Sequence, residues 1–150
     1  MTDLVLVQVS DFSVDEHYQA MVAQNSSAGA VVFFVGRVRD FNEQQHVTGL
    51  YLEHYPGMTE KTLHEIILTA RQRWSLEDVR IVHRVGALQV SDQIVFVGVS
   101  SAHRQDAFLA CEFLMDFLKT KAPFWKKETG ADGEQWLDAR DSDEQSAQRW

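Results

Sequence analysis

Leu118–Glu128 reads LKTKAPFWKKE, four lysines around two aromatics and one proline in a chain that is otherwise acidic. Pro123 decides how the backbone runs here. The residue before a proline is pushed out of the α region. A helix arriving from the N-terminal side must therefore stop before Pro123, and Phe124–Lys127 leaves it extended. Successive strand residues point to opposite faces, so Lys126 and Lys127 cannot both aim into one pocket. Such a knot of cations is either a solvated helix end or one wall of a pocket for an anion.

The arriving helix is long. Ala107, Phe108, Cys111, Leu114, Met115 and Leu118 recur at helical spacing and form its apolar face. It opens after Ser100-Ser101-Ala102-His103-Arg104, where either serine can serve as N-cap. The first turn of a helix offers free N–H groups and the positive end of the dipole, which favour an anion. Arg104 is a cation at the wrong end of that dipole. The mild conflict favours reading it, with His103, as an anion ligand. Cys111 in mid-helix reads as an inert packing thiol, not a nucleophile. Beyond the knot, Thr129–Gly133 reads as a turn and Glu134–Ala139 as a short strand pairing back on Phe124–Glu128. Asp141–Trp150 is polar and acidic, a frayed helix or a mobile tail.

Toward the N-terminus the pattern is strands with interposed helices. Leu4–Val9 is a mostly apolar strand. Ser13-Val14-Asp15-Glu16 has the capping-box form and opens a helix expected to reach about Gln24. Ala30–Arg39, AVVFFVGRVR, is β-branched and aromatic enough for burial on both faces, and Gly36 marks a bend, a bulge or a close backbone approach. Arg37 and Arg39 share one face of an unbroken strand. They read as a strand emerging into solvent or as a two-arginine clamp for phosphate. After the polar loop Asp40–Gln45, Val47–Tyr55 is a strand ended by Pro56-Gly57. Leu63, Ile66, Ile67, Ala70 and Trp74 then trace the core stripe of a helix. Val79–Leu88 and Gln93–Ser101 are expected to form an antiparallel hairpin around Gln89–Asp92. His83, on a mostly apolar face, reads as a hydrogen-bonded structural histidine. His54 and His64 have no metal-ligand partner at usable spacing.

The 150 residues fit one compact domain, 1–150, with 141–150 its tail. A net charge of −8 disfavours a general nucleic-acid binder, whose affinity rests on many phosphate contacts, but leaves room for a local anion site. No apolar run approaches a membrane span, and MTDLVLVQV lacks the basic start of a signal peptide. The lone cysteine cannot form an internal disulfide, which fits a reducing cytoplasm. There is no G-x-S-x-G, P-loop, G-x-G-x-x-G, H-E-x-x-H or C-x-x-C pattern. What remains is cationic: Arg37, Arg39, His103, Arg104, Lys119, Lys126 and Lys127. That set suits a phosphate-bearing substrate or a transition state gathering negative charge.

Five blocks, in order, resemble the large, catalytic subunit of molybdopterin synthase, the MoaE family. They are GRVR at Gly36–Arg39, LEHYPGMTEK at Leu52–Lys61, HRVG at His83–Gly86, VGVSSAHR at Val97–Arg104 and LKTKAPFWKKE at Leu118–Glu128. Phe41–His46 and Thr129–Gly133 carry no part of the resemblance, and the tail is loosely covered. The resemblance implies an α+β fold of the α/β-hammerhead kind, with antiparallel sheets and a small additional β subdomain. It implies a heterotetramer, a homodimer of large subunits with one small subunit at each end. The small subunit is ubiquitin-like and ends in a thiocarboxylated Gly-Gly. The implied reaction turns cyclic pyranopterin monophosphate into molybdopterin: two sulfurs enter as a dithiolene and the cyclic phosphate opens. No cofactor or metal is implied.

By the same resemblance, Lys119 and Lys126 match catalytic lysines. Arg37, Val38, Arg39, His103, Arg104, Lys119, Lys126, Lys127 and Glu128 match substrate-contacting segments. The chemistry agrees with the residue types. A thiocarboxylate is already a nucleophile, arginine forks suit phosphate, and a lysine beside apolar walls passes protons nearer neutrality than one in water. Helix length adds a constraint that needs no resemblance. Arg104 and Lys119 are fifteen residues apart, roughly 22 Å along an unbroken helix. One small substrate cannot touch both. Either the site spans two copies of the chain, with His103 and Arg104 of one facing Arg39, Lys119 and Lys126 of the other, or the helix is kinked. Two other functions fit the composition: a non-catalytic adaptor for a ubiquitin-like protein, and a phosphoesterase, which would lack a metal cluster or an evident nucleophile.

Overall fold

The computed structural model describes residues 2–41, 46–131, 133–137 and 141–150. The elements run β1 (Asp3–Gln8), α1 (Val14–Val22), β2 (Ala30–Arg37), β3 (Val47–His54), α2 (Met58–Arg73) and β4 (Val79–Arg84). There follow β5 (Gly86–Gln89), β6 (Gln93–Ser101), α3 (Arg104–Lys121), β7 (Phe124–Gly130), β8 (Gly133–Leu137) and α4 (Asp141–Gln148). They build two four-stranded sheets, ordered β1-β4-β6-β2 and β5-β3-β7-β8. Every pairing is antiparallel except β1 with β4. This is the expected α+β architecture, with the second sheet as the additional β subdomain. No helix among the described residues is long and apolar enough to cross a membrane.

The first sheet is covered on both faces. Val79 and Ile81 of β4 and Val95, Val97 and Val99 of β6 pack against Leu63, Ile66, Ile67 and Ala70 of α2 and Ala110, Phe113 and Leu114 of α3. Strand alternation sends Val82 and Phe96 to the other face, where Met21 of α1 and Phe12 cover them. A separate cluster, Val38, Leu50, Leu52, Val85 and Leu88, joins the first sheet to the inner face of the second. The C-terminal segment lies on α3. Ala147 is buried, and the Trp150 ring packs edge-on to Trp74 and Phe113 while its Nε1 donates to Asp116 at 2.6 Å.

Several expectations change. The strand expected over Val79–Leu88 is two strands. Gly86 adopts φ +88°, a left-handed value that favours glycine, and the chain leaves the first sheet there to pair β5 with β3 in the second. The expected pairing with Gln93–Ser101 holds for β4. The helix from Ser13 ends at Val22, two residues early, and the Ser13 hydroxyl accepts from Glu16 N–H at 3.3 Å. Neither serine caps α3. Its N-cap is His103; Ser101 Oγ donates to the Ser75 carbonyl and accepts from the His103 N–H at 3.4 Å, one residue short of the helix, and Ser100 Oγ accepts from the Asp78 N–H. β2 is not buried on both faces: it is the last strand of its sheet, and Phe33 and Phe34 are each 42% exposed. Phe108, placed on the apolar face of α3, is 60% exposed, while Ala110 and Phe113 take up the core. The expected loop and strand residues at 42–45, 132, 138 and 139 lie outside the described residues.

Candidate active site

The centre of the site is the fold-back that Pro123 enforces. α3 ends at Lys121 with Ala122 as an extended C-cap, and β7 begins two residues later. In β7 the pairs Phe124–His54, Lys126–Leu52 and Glu128–Leu50 are in register with β3. Leu50 and Leu52 are buried in the cluster beneath the second sheet, with Phe124 packed against it. Phe124, Lys126 and Glu128 therefore share the inner face, and Glu128 is buried. Lys127 goes the other way. Its ammonium lies 5.3 Å from the ring centres of both Tyr51 and Trp136 and 3.3 Å from the Glu134 carboxylate, on the outer face of the sheet.

Across from Lys126 stands His83, at the end of β4. Its imidazole is stacked on Phe124, centroids 3.8 Å apart and planes 17° from parallel. Nδ1 lies 2.7 Å from the Arg84 carbonyl. Burial pulls its pKa down to about 4; the charges of Lys126, His54 and Lys119 add to the fall, and only the Arg84 hydrogen bond opposes it. Groups from three elements thus act on one ring. Lys119 lies in the last turn of α3, and Lys126 lies on the face of β7 that carries Phe124, on the other side of Pro123. The hydrogen-bonded structural histidine expected at His83 is present. Its closeness to both lysines was not legible, because nothing in the sequence tells that β7 folds over the end of β4. The same holds for His54.

Arg37 and Arg39 reach the rim of the same cluster by a different route. The register shifts between Gly36 and Arg37, a bulge that ends β2. Val38 then turns inward to the core. Its N–H donates to the Asp92 carbonyl at 2.9 Å and its carbonyl accepts from Ser91 at 2.8 Å. With Val38 buried, the arginines on either side of it are exposed, and Arg37 Nε donates to the Ser91 carbonyl at 3.3 Å. The strand is interrupted, so the shared direction of the two arginines comes from Val38 as an anchor.

His103 and Arg104 are elsewhere. Both are exposed at the start of α3, and that helix runs without a break from Arg104 to Lys121. The kinked-helix alternative is removed, and the two ends stay roughly 22 Å apart. Cys111 lies under the middle of α3, its thiol 3.7 Å from the Val97 carbonyl, and burial pushes its pKa up to about 12. It is a packing residue, as expected. Among the described residues no group of three or more His, Cys, Asp or Glu side chains is set to hold a metal ion.

Known proteins show which family and fold the chain resembles. The model of a family described as MoaE protein matches residues 7–121. The molybdopterin synthase catalytic subunit of Vibrio cholerae serotype O1 is 61% identical over 150 residues, covering 100% of this chain and 99% of its own. A solved molybdopterin biosynthesis MoaE protein from Burkholderia ambifaria superposes with a TM-score of 0.85 at 50% identity, over 99% of this chain and 98% of that one. Molybdopterin synthase from Staphylococcus aureus superposes at 0.82 with 34% identity, over 89% of this chain and 96% of that one.

Proposed function

This chain belongs to the MoaE protein family, and from that premise we propose that it is the catalytic subunit of a molybdopterin synthase. Its substrate is cyclic pyranopterin monophosphate. Two sulfurs are inserted from the C-terminal thiocarboxylate of a ubiquitin-like small subunit, giving the dithiolene of molybdopterin. The observation that carries this reading is the fold-back at Pro123, which follows Lys119 at the end of α3 and sets Lys126 on the same face of β7 as Phe124, itself stacked on His83. An adaptor that only docks a partner has no use for two lysines gathered there. Sulfur arrives on the partner, so the inert Cys111 raises no difficulty. Lys119 and Lys126 are the catalytic groups, moving protons and stabilising the charge that develops on the pterin. Arg37 and Arg39 hold phosphate at the rim, Val38 anchors them, and Glu128 lies beside Lys126. Lys127 contributes from the outer face, where it braces β7 against β3 and β8. The reducing cytoplasm is the compartment this reading assigns, since a free thiol and a thiocarboxylate persist there.

The site is completed by a second copy of the chain. β2 ends the first sheet and carries exposed Phe33 and Phe34 at its centre. Its first residue, Ala30, is paired with Ser101, beside His103 and Arg104, and its last is Arg37. A two-fold axis near Phe33 and Phe34 would lay one β2 antiparallel to the other. His103 and Arg104 of one copy would then meet Arg37 and Arg39 of its partner. Eight strand residues span about 25 Å, close to the roughly 22 Å that separates Arg104 from Lys119. The length match is what supports a homodimer at the centre of the heterotetramer.

The test mixes the purified chain with thiocarboxylated small subunit and the cyclic substrate and looks for dithiolene product. Product formation is expected, and its absence from well-folded protein overturns the reading. Lys119→Ala is expected to lose turnover by at least about a hundredfold while still assembling with the small subunit, and normal turnover would remove Lys119 from the mechanism.

A further inference from the structure

His83 has a geometry beyond that of a satisfied core side chain. A carbonyl oxygen only accepts, so the 2.7 Å contact with Arg84 requires the proton on Nδ1 and leaves Nε2 as the lone-pair nitrogen. The ring is 4% exposed and cannot swing, because it lies flat on Phe124. On the first sheet its neighbours in register are Val7 of β1 and Val95 of β6, both apolar. The polar groups acting on it come from the other elements: Lys126 of β7, His54 of β3 and Lys119 of α3. A fixed, uncharged acceptor thus lies against the face of β7 that carries Lys126, two residues on from the Phe124 ring on which it is stacked.

We propose that His83 is a positioning residue. Its imidazole, locked as the Nδ1–H tautomer by the Arg84 carbonyl and clamped on Phe124, presents Nε2 as a hydrogen-bond acceptor that orients the ammonium group of Lys126. This rests on the sulfur-transfer reading above. The arrangement has a chemical logic. A protonated imidazole here would add a positive charge beside Lys126 and offer it no lone pair. Burial, which keeps the ring uncharged at neutral pH, preserves the one form that can accept.

Two substitutions separate orientation from packing in the complex with thiocarboxylated small subunit. His83→Asn keeps a donor near the Arg84 carbonyl and loses the distal acceptor; His83→Gln carries an amide oxygen out to the distal position. His83→Asn is expected to slow single-turnover sulfur transfer by at least about tenfold with KM changed by less than about threefold, and to move the pH–rate profile. His83→Gln is expected to recover most of the rate. Equal losses in both, tracking thermal stability, would mean a purely structural histidine and overturn the proposal. Nitrogen-detected spectra of the unsubstituted protein give a second readout that needs no variant at His83. Nε2 is expected to be unprotonated at neutral pH and to shift in Lys126→Ala; a protonated Nε2, or no shift, also overturns it. If the unsubstituted complex makes no dithiolene, the sulfur-transfer reading falls, while the spectra still decide the contact between His83 and the lysine.

Discussion

His83 enters the folded chain without a proton that it holds in the unfolded chain over part of the acid range. Its ordinary pKa is 6.5 and its folded value about 4, with desolvation as the main cause. Between those values the unfolded chain binds more protons, so stability rises with pH through the window. The contribution is present in full above pH 6.5 and is lost as pH falls toward 4, by roughly 3 kcal/mol in all. Urea unfolding of the chain and of His83→Phe at a series of pH values measures it directly. The chain is expected to lose about that much more than the variant between pH 7 and pH 4, and parallel curves would contradict the burial argument. The lysines show what could be read in advance. Lys119, Lys126 and Lys127 stand out by composition, and strand alternation separates the last two without any coordinates. The histidine does not stand out, because its partner Phe124 lies 41 residues away and on another sheet. Only the fold-back at Pro123 brings them together.

Helices and strands were legible where local chemistry sets them: the cap at Ser13, the apolar stripe of α2, the stop before Pro123. They were misread where a tertiary partner decides. Val79–Leu88 is continuous in its apolar pattern, and only the φ of Gly86 sends its second half to another sheet. β2 reads as doubly buried, since Phe33 and Phe34 look like core residues until the strand is seen to end its sheet. The turn that carries His103 and Arg104 rests on another close fit. A Cβ on Gly29 would lie 2.5 Å from the Ala102 carbonyl oxygen, a backbone atom that cannot rotate away. Gly29→Ala must therefore push the start of β2 from the 101–104 segment. It is expected to lower stability by about 1–3 kcal/mol, seen as a lower urea midpoint at unchanged slope. An unchanged midpoint would mean that the two segments separate freely.

The site as a whole does not close within one chain. α3 is unbroken and holds Arg104 and Lys119 apart, yet both carry the cationic chemistry that a phosphorylated substrate requires. β2 offers the symmetric surface that reconciles them, with the arginine rim at one end and the start of α3 at the other. Shared sites make a quantitative prediction about mixtures of inactive chains. Lys119→Ala and Arg104→Ala are each expected to be nearly inactive as pure dimers. Co-expressed in equal amounts, they form mixed dimers about half of the time, and each mixed dimer holds one doubly defective site and one intact site. Sulfur-transfer activity is then expected to return to about one quarter of that of the unsubstituted protein. If each site were confined to a single chain, every site in the mixture would still carry one defect and nothing would return. The recovered fraction therefore reads the architecture directly, and it does so whether or not either variant alters the affinity for the small subunit.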